Sequence, residues 1–125
     1  MTSVVLKVAR DFSKNPGPRN KKAGRNSGEA LRELLIKYLK DAIKHNYLLV
    51  VDLDGTSGYA ATFLEEAFGG LCREEIFTPL EILGYLSIVS EEEPELIDDI
   101  HQYIGDALGW PNFIDVYFPN ARDRT

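Results

Sequence analysis

Two carboxylates separated by one residue, Asp52 and Asp54, end an apolar run and are followed by Gly55 and Thr56 in the stretch VVDLDGT. An acid at the carboxyl end of a strand can attack phosphorus, a second acid can shuttle the proton, and a shared magnesium ion can balance the charge. Thr56 would then hold the phosphate. That chemistry also needs a cation from later in the chain and a further acidic pair for the metal. No lysine follows Lys44, Arg73 is an awkward substitute, and Asp98 and Asp99 fall inside a predicted helix. The same two acids suit a structural task, meeting the N-terminus of the next helix or capping the turn into it.

The other reactive side chains say less. Cys72 is the single cysteine, so no internal disulfide forms and a thiolate zinc cluster is excluded. It lies on the apolar side of a predicted helix, as an inert buried thiol would, and not as a nucleophile served by His45 or His101. His45 ends a helix, where a cation suits the dipole. A richer stretch is SKNPGPRNKKAGRNSG, residues 13–28. Cations among glycines can hold phosphates by charge and backbone N–H groups. Arg19, Lys21, Lys22, Arg25, Ser27 and Gly28 are the candidates, for a nucleotide, a nucleic-acid backbone or an acidic partner surface. The stretch has no aromatic residue, which counts against single-stranded nucleic acid. A connection this long is a working loop, a ragged hairpin or a mobile flap.

The elements around these residues follow from periodicity. Residues 3–9, SVVLKVA, alternate like a strand. Leu31, Leu34, Leu35, Tyr38, Leu39, Ala42 and Ile43 recur on one helical face, with Asn26 as N-cap and Glu29 completing a capping box. Residues 47–55, YLLVVDLDG, form a nearly continuous apolar run, the pattern of a central strand buried on both faces. Residues 62–72 give a second helix with Phe63, Leu64, Ala67, Phe68 and Leu71 on one side. Gly69 and Gly70 are out of place in it, since each costs about 1 kcal/mol relative to alanine; a close neighbour or a helix stop would justify them. Glu65 and Glu66 read as its solvated face. A third strand falls within 80–90, a helix runs from Pro94 to a Gly109 cap, and 113–118, FIDVYF, reads as a final edge strand. Trp110, Tyr117 and Phe118 are expected to pack beneath it. The order β-α-β-α-β-α-(β) predicts an α/β fold with a mainly parallel sheet.

A chain of 125 residues supports one domain with one ordinary core. Its net charge of −6 is unevenly spread: residues 1–44 carry eleven cations against four acids, and residues 45–125 carry three against sixteen. Two faces of opposite sign account for this, and an acidic whole is a poor start for a DNA binder. No segment reads as a membrane span or signal peptide, so a cytoplasmic protein is expected.

Two stretches together carry a resemblance. The first holds Asp11-Phe12, Pro16-Gly17, Arg19, Gly24-Arg25, Ser27-Gly28-Glu29 and Arg32; the second holds Asp52, Asp54-Gly55, Gly58-Tyr59, the run from Phe63 to Leu71, and Arg73. Over about residues 6 to 108 they resemble the bacterial STAS-like family of unknown function. The resemblance implies a small, mainly parallel α/β sheet with helices in a single STAS-like domain over 1–125, with a basic loop at 13–28 and a loose tail at 119–125. That family is similar to the STAS domains of anti-sigma-factor antagonists, which lack catalytic machinery and bind a kinase-type ATPase. Phosphorylation at the start of the helix after the central strand switches them. By resemblance this chain is a non-catalytic regulatory module with no cofactor and no metal. Its expected partner is a protein, a histidine-kinase-like ATPase, rather than a membrane or nucleic acid. The implied contact surface is Thr62, Phe63, Glu65, Glu66, Gly69 and Gly70. Where the antagonists place Asp-Ser-Ser-Gly this chain has YAATF, residues 59–63, leaving Thr62 as the candidate phosphoacceptor. The alternative is a magnesium-dependent phosphohydrolase of haloacid dehalogenase type using Asp52 and Asp54.

Overall fold

Three short strands rich in β-branched and aliphatic residues make the sheet. β1 (Ser3–Lys7), β2 (Leu48–Asp52) and β3 (Leu86–Val89) lie in the order β1-β2-β3 with both pairs parallel in the computed structural model, which describes residues 1–110. Register sets Val5 opposite Val50, Lys7 opposite Asp52, and Asp52 opposite Val89. Parallel neighbours need a crossover of about a dozen residues or more. The helix α1 (Gly28–His45) supplies the first; α2 (Ala61–Leu64), α3 (Gly70–Arg73) and α4 (Pro79–Tyr85) fill the second, and α5 (Glu95–Leu108) follows β3. The chain is α/β with a small parallel sheet. The strand expected at 113–118, the tail at 119–125, and Tyr117 and Phe118 lie outside the described residues.

One face of the sheet carries the core. Leu6, Leu49 and Val51 are fully buried in a cluster with Leu31, Leu35 and Leu39 of α1 and with Phe63, Phe68 and Leu71. The apolar run at 47–55 predicts burial on both faces, yet Val50 is half-buried and its neighbour Val5 is 44% exposed. Crossovers of the usual right hand in strict sequential strand order deliver their helices to the same face. β2 is therefore dry on one side only.

Local chemistry moves two boundaries. The N-cap of α1 is Ser27, whose hydroxyl accepts from the Ala30 N–H at 3.1 Å. Asn26, expected there, holds a left-handed φ of 54°, and Glu29 accepts from the Lys21 N–H at 2.9 Å instead of closing a capping box. The apolar run at 80–90 is only partly strand. Thr78 and Glu81 make a reciprocal capping box, with Pro79 in the first turn, and start α4, which takes up the first half of the run expected to contain the third strand. β3 is left with Leu86–Val89. The second helix spans Ala61 to Arg73 but is interrupted by a π-helical turn at Glu65–Gly69.

Two glycines make the packing testable. A Cβ on buried Gly28 would collide with the carbonyl oxygen of Phe63, whereas one on Gly84 would meet nothing within 4 Å. Gly28→Ala is expected to lower stability by about 1–3 kcal/mol through overpacking. Gly84→Ala is expected to raise it by about 0.5–1 kcal/mol. Thermal unfolding should move in opposite directions; equal shifts would refute the close approach of α1 to α2.

Candidate functional site

The carboxyl end of β2 is bound up in its own contacts. Register brings the Lys7 ammonium to 2.7 Å from Asp52, so the cation missing after Lys44 comes from β1, ahead of the acid. The other Asp52 oxygen accepts from the Asp54 N–H at 2.9 Å, a side-chain turn of the kind aspartate favours. Burial opposes the Asp52 charge, but Lys7 and that N–H outweigh it and hold the carboxyl below its usual range. Asp54 turns away and accepts from the Glu91 and Glu92 N–H groups at 3.1 and 3.0 Å, while Glu92 accepts from the Gly55 N–H. Tyr59 donates to the Leu53 carbonyl at 2.7 Å, and burial pushes its phenol up to about 12. These contacts tie β2 to the loop after β3. A cleft of about 570 Å³ beside them is lined by both signs of charge, Lys7, Arg10 and Lys14 against Asp54 and Glu92. Among the described residues no group of His, Cys, Asp or Glu is placed to hold a metal ion.

The second helix carries the denser arrangement. Glu65 and Glu66 are not its solvated face. Arg19 donates to both, at 2.8 and 3.2 Å; Arg73 also binds Glu65, and Arg32 binds Glu66 and lies 3.5 Å from Glu74. The side chains of Arg32 and Glu66 are only 15% and 17% exposed. Gly69 and Gly70 have ordinary helical φ values of −66° and −60°, so it is space they provide. A Cβ on Gly69 would strike the Glu65 carboxylate, and one on Gly70 would lie 3.0 Å from the Arg32 Cδ. The π-helical turn between these glutamates and glycines is a feature that often marks functional positions.

Arg19 reaches this helix from the basic stretch, which is an ordered strap. Gly17 donates to the Asn26 carbonyl at 2.8 Å, Gly28 to Pro18 and Glu29 to Arg19, both at 2.9 Å. Of the candidate phosphate contacts, Ser27 and Gly28 are buried, Arg19 and Lys21 are paired with glutamates, and Lys22 and Arg25 are exposed. The expected contact surface divides in the same way. Thr62 is exposed, but Phe63 is fully buried against Phe12 and Tyr59, and Gly69 and Gly70 are buried too. Phe63, Gly69 and Gly70 therefore belong to the interior: Phe63 packs on Phe12 and Tyr59, Gly69 lies against Glu65 and Arg73, and Gly70 lies against Arg32 of α1. Cys72 is buried, which pushes its thiol up to about 12. The roles of Lys7, Arg32 and Arg73 were missed, since their acids lie 45, 34 and 8 residues away. The signal present was the pair of glycines in mid-helix.

The clasp has a pH dependence with a fixed sign. Arg73 most strongly, and then Arg19 against some desolvation, holds the Glu65 carboxyl below its ordinary value of 4.5. A lowered folded value means stabilisation that is complete above the unfolded value and is lost as pH falls through the folded one. Arg73→Ala is expected to lower stability at neutral pH by about 1 kcal/mol, the scale of a partly exposed pair. Urea unfolding of both proteins should show that gap closing in acid; a gap independent of pH would remove Glu65 from the account.

Comparison with known proteins adds one match. A family model described as a STAS-like domain of unknown function (DUF4325) matches residues 27–101. The match runs from the α1 N-cap into α5 and includes Arg32, Glu65, Glu66 and Arg73, but not Arg19. No curated protein and no solved structure matches the chain. With more than half of its residues in that match, the chain belongs to the STAS-like family of unknown function.

Proposed function

We propose that this chain is a non-catalytic regulatory module that binds a protein partner, an ATPase of histidine-kinase type, at the start of α2. The observation that carries this reading is the contrast between two junctions. Asp52 and Asp54, the residues a phosphohydrolase would use, are taken up by Lys7 and by backbone N–H groups. A carboxylate held below its usual range by an adjacent ammonium is a weak nucleophile and a weak base. Ala60, Ala61 and Thr62, by contrast, are exposed where the helix follows the central strand, the position at which the related antagonists meet their partners. No helix among the described residues is long and apolar enough to cross a membrane.

A phosphate on Thr62 would meet the favourable end of the helix and, one turn on, the like charges of Glu65 and Glu66. Arg19 already screens those glutamates, so the fold tolerates the added charge while a docked partner does not. Thr62→Glu, a partial mimic, is expected to weaken the complex by more than about 1 kcal/mol, several-fold in affinity. Thr62→Ala should be nearly silent. Calorimetric titration against an ATPase recovered with the tagged chain checks this, and equal affinity for Thr62→Glu and the parent would place the contact elsewhere.

The enzymatic alternative has its own test. No magnesium-dependent hydrolysis of small phosphomonoesters is expected. Turnover that disappears in Asp52→Asn would establish the phosphohydrolase and displace the regulatory reading.

A further inference from the structure

The lysines and arginines of the described residues fall into three sets, one of which is Lys14, Lys22 and Arg25 of the basic stretch, exposed and without an ion pair among the described residues. Lys7, Arg10, Arg19, Lys21, Arg32 and Arg73 each pair with a carboxylate. Lys37, Lys40 and Lys44 are exposed and make no ion pair among the described residues, in a chain with twenty acids. Their spacing of three and four residues sets them in one row on α1, opposite the buried Leu31, Leu35 and Leu39. The two acids near that row are engaged elsewhere. Glu33 binds Lys21 at 2.7 Å, and Asp41 accepts from the Tyr47 hydroxyl at 2.8 Å and lies 3.1 Å from the His45 ring. Beside Lys37 the surface is hollowed. Val4, Lys37, Tyr38, Asp41 and Tyr47 line a cavity of about 360 Å³, with Val4 37% exposed. An apolar floor with a few charged groups at its margin is the usual make-up of a binding pocket.

We propose that this hollow and the lysine row beside it dock an acidic peptide segment of another protein. One apolar side chain fills the hollow, and the flanking carboxylates lie on Lys37, Lys40 and Lys44. Charge complementarity selects that occupant. A short acidic segment meets the lysines within a Debye length of about 8 Å, where the remaining acids of this chain are screened. An extended polyanion would also meet those acids, which outweigh the cations by six charges. Asp41 at the margin repels a phosphate but can accept from a peptide N–H. At about 1.5 Å of rise per residue, Lys37 to Lys44 lie well along α1 from Gly28, the point of contact with α2. The site therefore stands independently of whether a partner reads Thr62.

The probe is a labelled peptide with glutamates flanking one central leucine, titrated with the whole chain and followed by fluorescence anisotropy. Saturable binding is expected, weakened by salt and weakened at least about tenfold in the triple variant Lys37→Glu/Lys40→Glu/Lys44→Glu. Exchanging the peptide's leucine for serine should weaken it likewise, and Thr62→Glu should leave it unchanged. Circular dichroism separates loss of the fold from loss of the site; should the triple variant unfold, Lys37→Gln/Lys40→Gln takes its place with the same expected direction. Absent saturable binding, equal affinity for the serine peptide, or tighter binding to duplex DNA or anionic phospholipid vesicles would each overturn the proposal.

Discussion

Two adjacent carboxylates on a largely buried helical segment have to be neutralised, and much of this fold follows from how that is done. Glu65 and Glu66 lie among fully buried neighbours, Leu64 and Phe63 before them and Ala67 and Phe68 after. A charge at such a place is strongly unfavourable unless paired and hydrogen-bonded. Three arginines from three segments answer it: Arg19 from the strap, Arg32 from α1 and Arg73 from the end of the same helix. Those pairings need short backbone distances, which is why Gly28 lies against Phe63 and why Gly69 and Gly70 leave their Cβ positions to a carboxylate and a guanidinium. Removing one partner costs about 3–5 kcal/mol for a buried pair such as Arg32 and Glu66 and about 1 kcal/mol for the more exposed Arg73, whereas replacing both partners with apolar groups is often neutral. The clasp therefore fixes how α1 and the second helix meet more than it adds to stability.

The end of β2 obeys the same rule with a different result. Asp52 and Asp54 are neutralised by one ammonium and three backbone N–H groups, all directed at the carboxylates. The bonds from Asp54 and Glu92 cross to the loop after β3, so acids that resemble a reactive centre act as the fastening between the second and third strands. The two functions compete for the same lone pairs.

Periodicity made the main elements of the fold legible. The α1 face, the β2 run and the α5 stripe are each set by residues within one element, and each falls where the apolar pattern puts it. The third strand was harder. LEILGYLSIVS has the apolar content of a strand, and only the Thr78-to-Glu81 cap at its front reveals that the first half is helix. The site was legible as a set of residues but not as a geometry. Arg32, Glu65, Glu66, the two glycines and Arg73 were all visible as a pattern, yet nothing local pairs Arg32 with Glu66 or Lys7 with Asp52. Those contacts join segments 34 and 45 residues apart and exist only once the helices and strands are packed.

Arg19 changes how the two candidate surfaces relate to each other. Sequence separated a basic loop from a contact helix, but one guanidinium donates to both Glu65 and Glu66 while its backbone carbonyl accepts from Glu29 at the start of α1. The strap, the first turn of α1 and the second helix are therefore one connected unit. The residues matched by the family model hold both acids and the other two arginines, so Arg19 is the link that fastens the strap onto that shared pair of helices. A change at Glu65 or Glu66 must be felt by the strap through this bond, because no other side chain of the strap contacts the second helix among the hydrogen bonds and ion pairs of the described residues. Arg19 thereby ties the position of Glu65 and Glu66 to the strap backbone, which runs on into the first turn of α1.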